Sequence, residues 1–229
     1  MTFTFLGIQK MIENSLQQYL VCDEYFNFKH PQVEALASQV NATEAKQQAI
    51  EIYYLVRDSF PYNPYTFVEG TQTFAAEFCV EREQGYCIPK AALMVALCRR
   101  FGIPAKIGLA DVTNHLSSPK LLELLKTEVF SMHGYVSVYL NGKWVKATPT
   151  FNKELCAKLG TKTLEFDGEN DSMLQEFTEH GHKHMEYLQD WGTYGEMPIP
   201  FIMENLHKHY PHIMADMKLA SDFKDAVFN

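Results

Sequence analysis

A thiol, an imidazole and a possible third group are the residues of this chain whose types and spacing could do chemistry. The thiol lies in G85-Y-C-I-P-K-A-A-L-M-V-A-L-C-R-R-F-G-I-P-A105, where a glycine-led turn delivers Cys87 onto a proline-started, almost wholly apolar helix. Pro89 suits a first helical turn because its missing N–H has no partner there in any case. Arg99 and Arg100 occupy the last turn and complement the helix dipole, Gly102 suits a left-handed terminator, and Pro104 prevents continuation. The run Ala91 to Cys98 is apolar all round, which predicts a buried helix aiming its positive end at Cys87. Such a position favours thiolate over thiol, and thiolate is the nucleophile, reactive to alkylation at mildly acidic pH. Cys98 lies mid-helix and reads as a small apolar plug, as do Cys22, Cys79 and Cys156.

A cysteine nucleophile needs a base, and H133-G-Y-V-S-V-Y-L-N-G-K-W-V-K-A-T-P-T150 selects His133 from nine histidines. Asn141-Gly142 between two alternating runs predicts a two-residue hairpin turn, so that the numbers of paired residues sum to 283. That register sets His133 opposite Thr150 with Thr148 diagonal to it. His133, Tyr135 and Ser137 then share the more polar face, while Val136, Val138, Leu140, Val145 and Ala147 form the core face. A structural histidine at a strand start is the competing reading.

The elements that must position these groups follow from periodicity. Helices are expected around Leu6–Leu20, from Pro31, and from a cap at Thr43 with Ala49, Ile52, Tyr53 and Val56 inward, ending before Pro61. A strand over Ala105–Val112, a short helix from Pro119 and the hairpin come next. Short helices and turns fill the rest, with a last helix after Pro211. Helices followed by an antiparallel sheet indicate an α+β fold rather than a doubly wound one.

These stretches resemble the transglutaminase-like superfamily, in which a papain-like core sets a cysteine at a helix N-terminus against a histidine and an aspartate on adjacent strands. Y53-Y-L-V-R-D-S-F-P-Y-N-P-Y65 resembles the helix and loop before the family cysteine, and E165-F-D-G-E-N-D-S-M-L with H184-M-E-Y resemble motifs of a bacterial subgroup. The resemblance covers about Ala45 to Asn152, within a single domain of 1–229. It implies Cys87 as nucleophile and His133 as base. Where the family has aspartate-proline-threonine, this chain has Thr148-Pro149-Thr150. A threonine hydroxyl can fix the imidazole tautomer but supplies no negative charge, so Asp111 and Asp167 stand as alternative third members. The implied activity is acyl transfer from an amide or peptide bond of a protein or peptide substrate through a thioester at Cys87. Hydrolysis is favoured over amine transfer because the additional domains of eukaryotic cross-linking enzymes are absent. A binding module with a decayed triad is the alternative.

Composition bounds the rest. The chain has 229 residues, 46% hydrophobic, 21% charged, with a formal net charge of -8, which disfavours nucleic acid and anionic membrane as partners. No signal peptide or run near the roughly 20 apolar residues of a membrane span is apparent, and five scattered cysteines without a C-x-x-C pair suit reduced thiols, so a cytoplasmic location is expected. No phosphate-binding glycine loop points to a nucleotide, and no cofactor is expected. His180, His182 and His184 alternate and could bind a metal from an extended segment, but a solvated polar loop is the preferred reading. Oligomeric state is not written in the sequence.

Overall fold

The computed structural model describes residues 14–173 and 183–216. Helix α1 (Pro31–Ala37), α2 (Ala45–Ser59) and α3 (Ala76–Glu81) precede α4 (Cys87–Arg100). Then follow β1 (Ala105–Asn114), α5 (Pro119–Leu125), β2 (Val129–Leu140), β3 (Lys143–Ala147), α6 (Lys153–Leu159), β4 (Met185–Tyr194) and α7 (Ile199–His209). Residues 211–216 are helical as well. The strands make one antiparallel sheet in the order β3-β2-β1-β4, so the fold is α+β.

Hydrophobic patterning accounts for most of this. Ala49, Ile52, Tyr53 and Val56 line one side of α2 and are fully buried. The cap differs from expectation: α2 begins after Glu44, not Thr43, with no side-chain cap. The described part of the first predicted helix is α-helical over 14–16 and continues as a 3-10 turn, Gln17–Leu20; residues before 14 lie outside the described set. The hairpin register is as expected, from Leu140 opposite Lys143 to Val136 opposite Ala147. Asn141 and Gly142 both have positive φ (50° and 86°), as a tight turn matching the strand twist requires.

Helix α4 is the hub. It packs on the sheet face formed by Val136, Val138 and Leu140, with α1, α2 and α3 against its other sides. The opposite sheet face, expected to be polar, is buried too. There Tyr135, Ala110 and Val112 pack with Phe151, Cys156 and Met185 in a second cluster. Strand β4 was not expected. It is an edge strand, largely exposed, so it lacks an alternating apolar signature. No helix of the described residues is long and apolar enough to cross a membrane.

Candidate active site

Cys87 is the first residue of α4, after an extended Tyr86. Its turn is fastened to the loop that precedes it in sequence by about 25 residues. Gly85 N–H donates to Pro61 O (3.1 Å), Asn63 N–H donates to Gly85 O (2.9 Å), and Tyr62 bridges Gly85. Lys90, fully buried on α4, completes the clasp. Its ammonium donates to the carbonyls of Arg57 (2.9 Å) and Phe60, which α2 leaves without helical partners as it ends. Asn152 Oδ1 accepts from Tyr62 N–H (3.0 Å), tying the same loop to the segment after β3.

The sheet meets the helix start by backbone. A Cβ placed on Gly134 would lie 2.9 Å from Ile88 Cα and 3.1 Å from Cys87 O, a separation that admits glycine alone without displacement. The contact brings the N–H of Gly134, with that of Ile88, to the Cys87 sulfur, where both favour the thiolate. Burial outweighs them and pushes the thiol up to about 11, so the expectation of a resting thiolate is overturned in direction. The residue itself is only half-buried, because one side faces a cavity. Cys79 and Cys98 are also raised, to about 12, and they are fully buried in the core. None of the five cysteines is in a disulfide among the described residues.

His133 shares the cavity wall with Cys87. It is 5% exposed, its Nε2 has no hydrogen-bond partner among the described residues, and burial lowers its pKa to about 4. The resting pair is therefore a neutral thiol and a neutral imidazole.

Just before His133 the β1–β2 ladder slips: Ala110 pairs with His133, but Val112 pairs with Phe130. The extra residue leaves Met132 at a φ of 62°, a conformation side-chain-bearing residues seldom adopt. Asp111 holds that bulge, its Oδ1 accepting from Ser131 Oγ (2.8 Å) and Met132 N–H (3.0 Å). Tyr210 from the end of α7 adds to it, accepting from Ser131 N–H (2.7 Å) and donating to Val129 O (2.9 Å).

Thr148 lies past the last β2–β3 pair, so the expected Thr150–His133 pairing does not form. Thr148 N–H instead donates to Ser172 O (2.9 Å), and its hydroxyl donates to Met173 Sδ (3.9 Å). Asp167 is elsewhere, in an exposed turn. Its carboxylate accepts from Glu169 N–H, Asn170 N–H and Asn170 Nδ2, which pull it down to about 2. Of the three candidates for a third group, Asp111 is thus bonded to the backbone next to His133, Thr148 is bonded to Met173, and Asp167 serves its own turn. His184 is fully buried and stacked on Phe151 (5.9 Å), not solvated. His180 and His182 lie outside the described residues.

The cavity has a volume of about 290 Å³. One side is the Tyr62–Phe67 loop with the start of α4, and another is Phe130 to His133 of β2. The remainder comes from far along the chain: Leu121, Leu124 and Leu125 of α5, and Leu206, Ile213 and Met214 near the C-terminus. Sequence reasoning missed these, because only the fold brings them together.

The family profile of the Transglutaminase-like superfamily matches residues 34–149. No curated protein matches by sequence. Three solved structures are similar in part. One is a suspected cysteine protease from Cytophaga hutchinsonii (19% identity, 59% of this chain, 42% of that chain, TM-score 0.44). Another is a TGase (14%, 64% and 37%, 0.41). The third is an arylamine N-acetyltransferase from Nocardia farcinica (14%, 81% and 71%, 0.46). The chain spans less than half the length of the first two. The family match covers half of the chain, including both Cys87 and His133, and the chain belongs to the transglutaminase-like superfamily.

Proposed function

We propose that this protein is a cysteine acyl-transfer enzyme, with Cys87 as nucleophile and His133 as base. The observation that carries the reading is the shared cavity wall. The half-buried sulfur, supplied with the N–H groups of Ile88 and Gly134, and the imidazole border one space large enough for a substrate. Because both groups rest neutral, the thiol proton passes to His133 as the sulfur attacks the carbonyl of an amide or ester. The two N–H groups stabilise the negative charge that grows on sulfur. The imidazolium then gives its proton to the leaving amine or alcohol, leaving a thioester on Cys87. Water or an amine attacks the thioester, with His133 again taking the proton. Water gives hydrolysis and an amine gives transfer. Asp111 holds the backbone that carries the base, and Thr148 is the group at the family's aspartate position.

A second reading, a binding module without turnover, is favoured by one observation: no carboxylate is bonded to His133 among the described contacts, and its Nε2 is orphaned. Incubation with p-nitrophenyl acetate and mass spectrometry of the intact chain decide the matter. The enzyme reading expects an acetyl group on Cys87 and steady release of p-nitrophenol, both lost in Cys87→Ala. A chain that releases p-nitrophenol no faster than Cys87→Ala is a binding module.

A further inference from the structure

We infer that the acyl group this site accepts is apolar, and that its apolar part fills the cavity beside Cys87; this deepens the proposed function and rests on it. Among the described residues, none that lines the cavity is Asp, Glu, Lys or Arg. The polar atoms in its wall are mostly already engaged. Tyr86 Oη contacts Thr73 Oγ1 (3.1 Å) and donates to Thr73 O (3.0 Å), Tyr210 Oη bonds Ser131 N–H and Val129 O, and Ser131 Oγ donates to Asp111. Apart from the phenol hydroxyls of Tyr62 and Tyr65, the chemistry is left to Cys87 and His133 at one end of a largely hydrocarbon chamber. A charged acyl group would lose its water there with only neutral hydroxyls to replace it, at a cost that disfavours it against an apolar one. The entrance is apolar too, since Tyr65 and Leu124 line the cavity while being 47% and 44% exposed. Large exposed apolar side chains at a cavity mouth suit an apolar ligand that enters there.

The volume sets the size. About 290 Å³ is roughly twice the ~150 Å³ that accommodates a benzene ring, so the occupant is a medium-length alkyl chain or one aromatic side chain, not a long lipid tail. In the acylation step the Cys87 sulfur bonds to the carbonyl carbon and the carbonyl–heteroatom bond breaks. The thiol proton leaves with the departing group by way of His133.

The test measures kcat/KM of the full chain for p-nitrophenyl acetate, butyrate, hexanoate and octanoate, with Cys87→Ala as background. A parallel arm compares p-nitrophenyl esters of N-acetylglycine and N-acetylphenylalanine. A rise of about threefold or more per methylene is expected until the cavity is filled. A rise confined to the alkanoates identifies an alkyl chain, and one confined to the phenylalanine ester identifies an amino-acid side chain; both sustain the inference. Leu124→Glu, at an exposed position, and Leu125→Trp, which narrows the cavity, should each lower the octanoate-to-acetate ratio at least about tenfold. Flat or falling series in both arms, with Cys87 still acetylated by the acetate, overturn the apolar pocket and leave the enzyme reading standing. No acylation of Cys87 by any ester removes the enzyme reading, and this inference with it.

Discussion

The two ends of α4 handle buried polarity in opposite ways. At its last turn Arg99 is 3% exposed, and its guanidinium donates four hydrogen bonds, to Val21 O, to Ala105 O twice and to Gly195 O. It also lies 4.4 Å over the Phe26 ring and 3.6 Å from Asp23. Each guanidinium nitrogen there donates at least one hydrogen bond, and the result is a clamp joining the N-terminal segment, β1 and the loop after β4. At the first turn the thiol has only backbone N–H donors, the neighbouring imidazole has an orphaned Nε2, and both open on an apolar cavity. A buried polar group left without a partner costs free energy that a purely structural design would avoid. The unsaturated end of the helix is where an incoming substrate has something to bond.

The sharpest way to break this comparison is to exchange the roles of the two ends. Cys87→Ala and His133→Ala should each abolish acyl turnover, and the double variant should be little worse, because the two act as one unit. Cys98→Ala, on the same helix, should keep turnover and cost about 1 kcal/mol of packing. Inactivation by Cys98→Ala with turnover intact in Cys87→Ala would reverse the assignment.

At the other end, Arg99→Met should cost about 3–5 kcal/mol of stability in urea unfolding, because it strips partners from buried carbonyls and from Asp23. Its kcat per folded molecule should stay close to that of the parent. A kcat loss as large as that of His133→Ala in folded Arg99→Met would show that the two ends are not separate.

Nearer the site, Asp111→Ala should lower kcat roughly 10- to 100-fold, since Met132 N–H and Ser131 Oγ lose the acceptor that fixes the bulge before His133. Thr148→Val should cost about threefold or less, its hydroxyl being engaged by Met173 and Tyr187. Comparison of the two on one ester ranks them, and a larger loss at Thr148 would restore it as the imidazole's partner.

The smallest effect concerns acid. His133 and His184 are held neutral in the fold, each lowered to about 4 by burial, with His115 adding to the effect at His184. Unfolded histidines bind protons from about pH 6.5 downward, so between pH 6.5 and 4 the unfolded chain holds more protons than the folded one. Stability is therefore complete above about pH 6.5 and falls as pH drops towards 4, by at most about 1.4 kcal/mol per pH unit for each group. His184→Phe keeps the stack on Phe151 and should flatten the fall of Tm with acid. An unchanged slope would mean that His184 is charged in the fold.

Much of the site was legible because its signals are local. Pro89 and Gly102 bracket α4, and Asn141-Gly142 sets the hairpin and with it the faces of β2. What escaped is what depends on distant segments. Arg99 read only as a last-turn cation complementing the helix dipole, yet the segment around Val21 and the turn at Gly195 make it a buried clamp. Thr148 read as diagonal to His133, but Ser172 captures its backbone beyond the end of β3. The thiolate inferred from helix position alone omitted the burial that opposes it. Strand β4 carries few buried apolar residues, so no periodicity marked it.

The contact at Gly134 has a bearing on how such a protein can change over time. Helix and sheet touch there through main chain, so the spacing between sulfur and imidazole depends little on which side chains surround them. The cavity's outer wall belongs to other segments, the seven-residue α5 and the stretch from Leu206 to Met214, which have no part in that contact. Reaction and selectivity are thus inherited separately. Substitutions in those outer segments could redirect the site to a different acyl group while the reacting pair stayed in place.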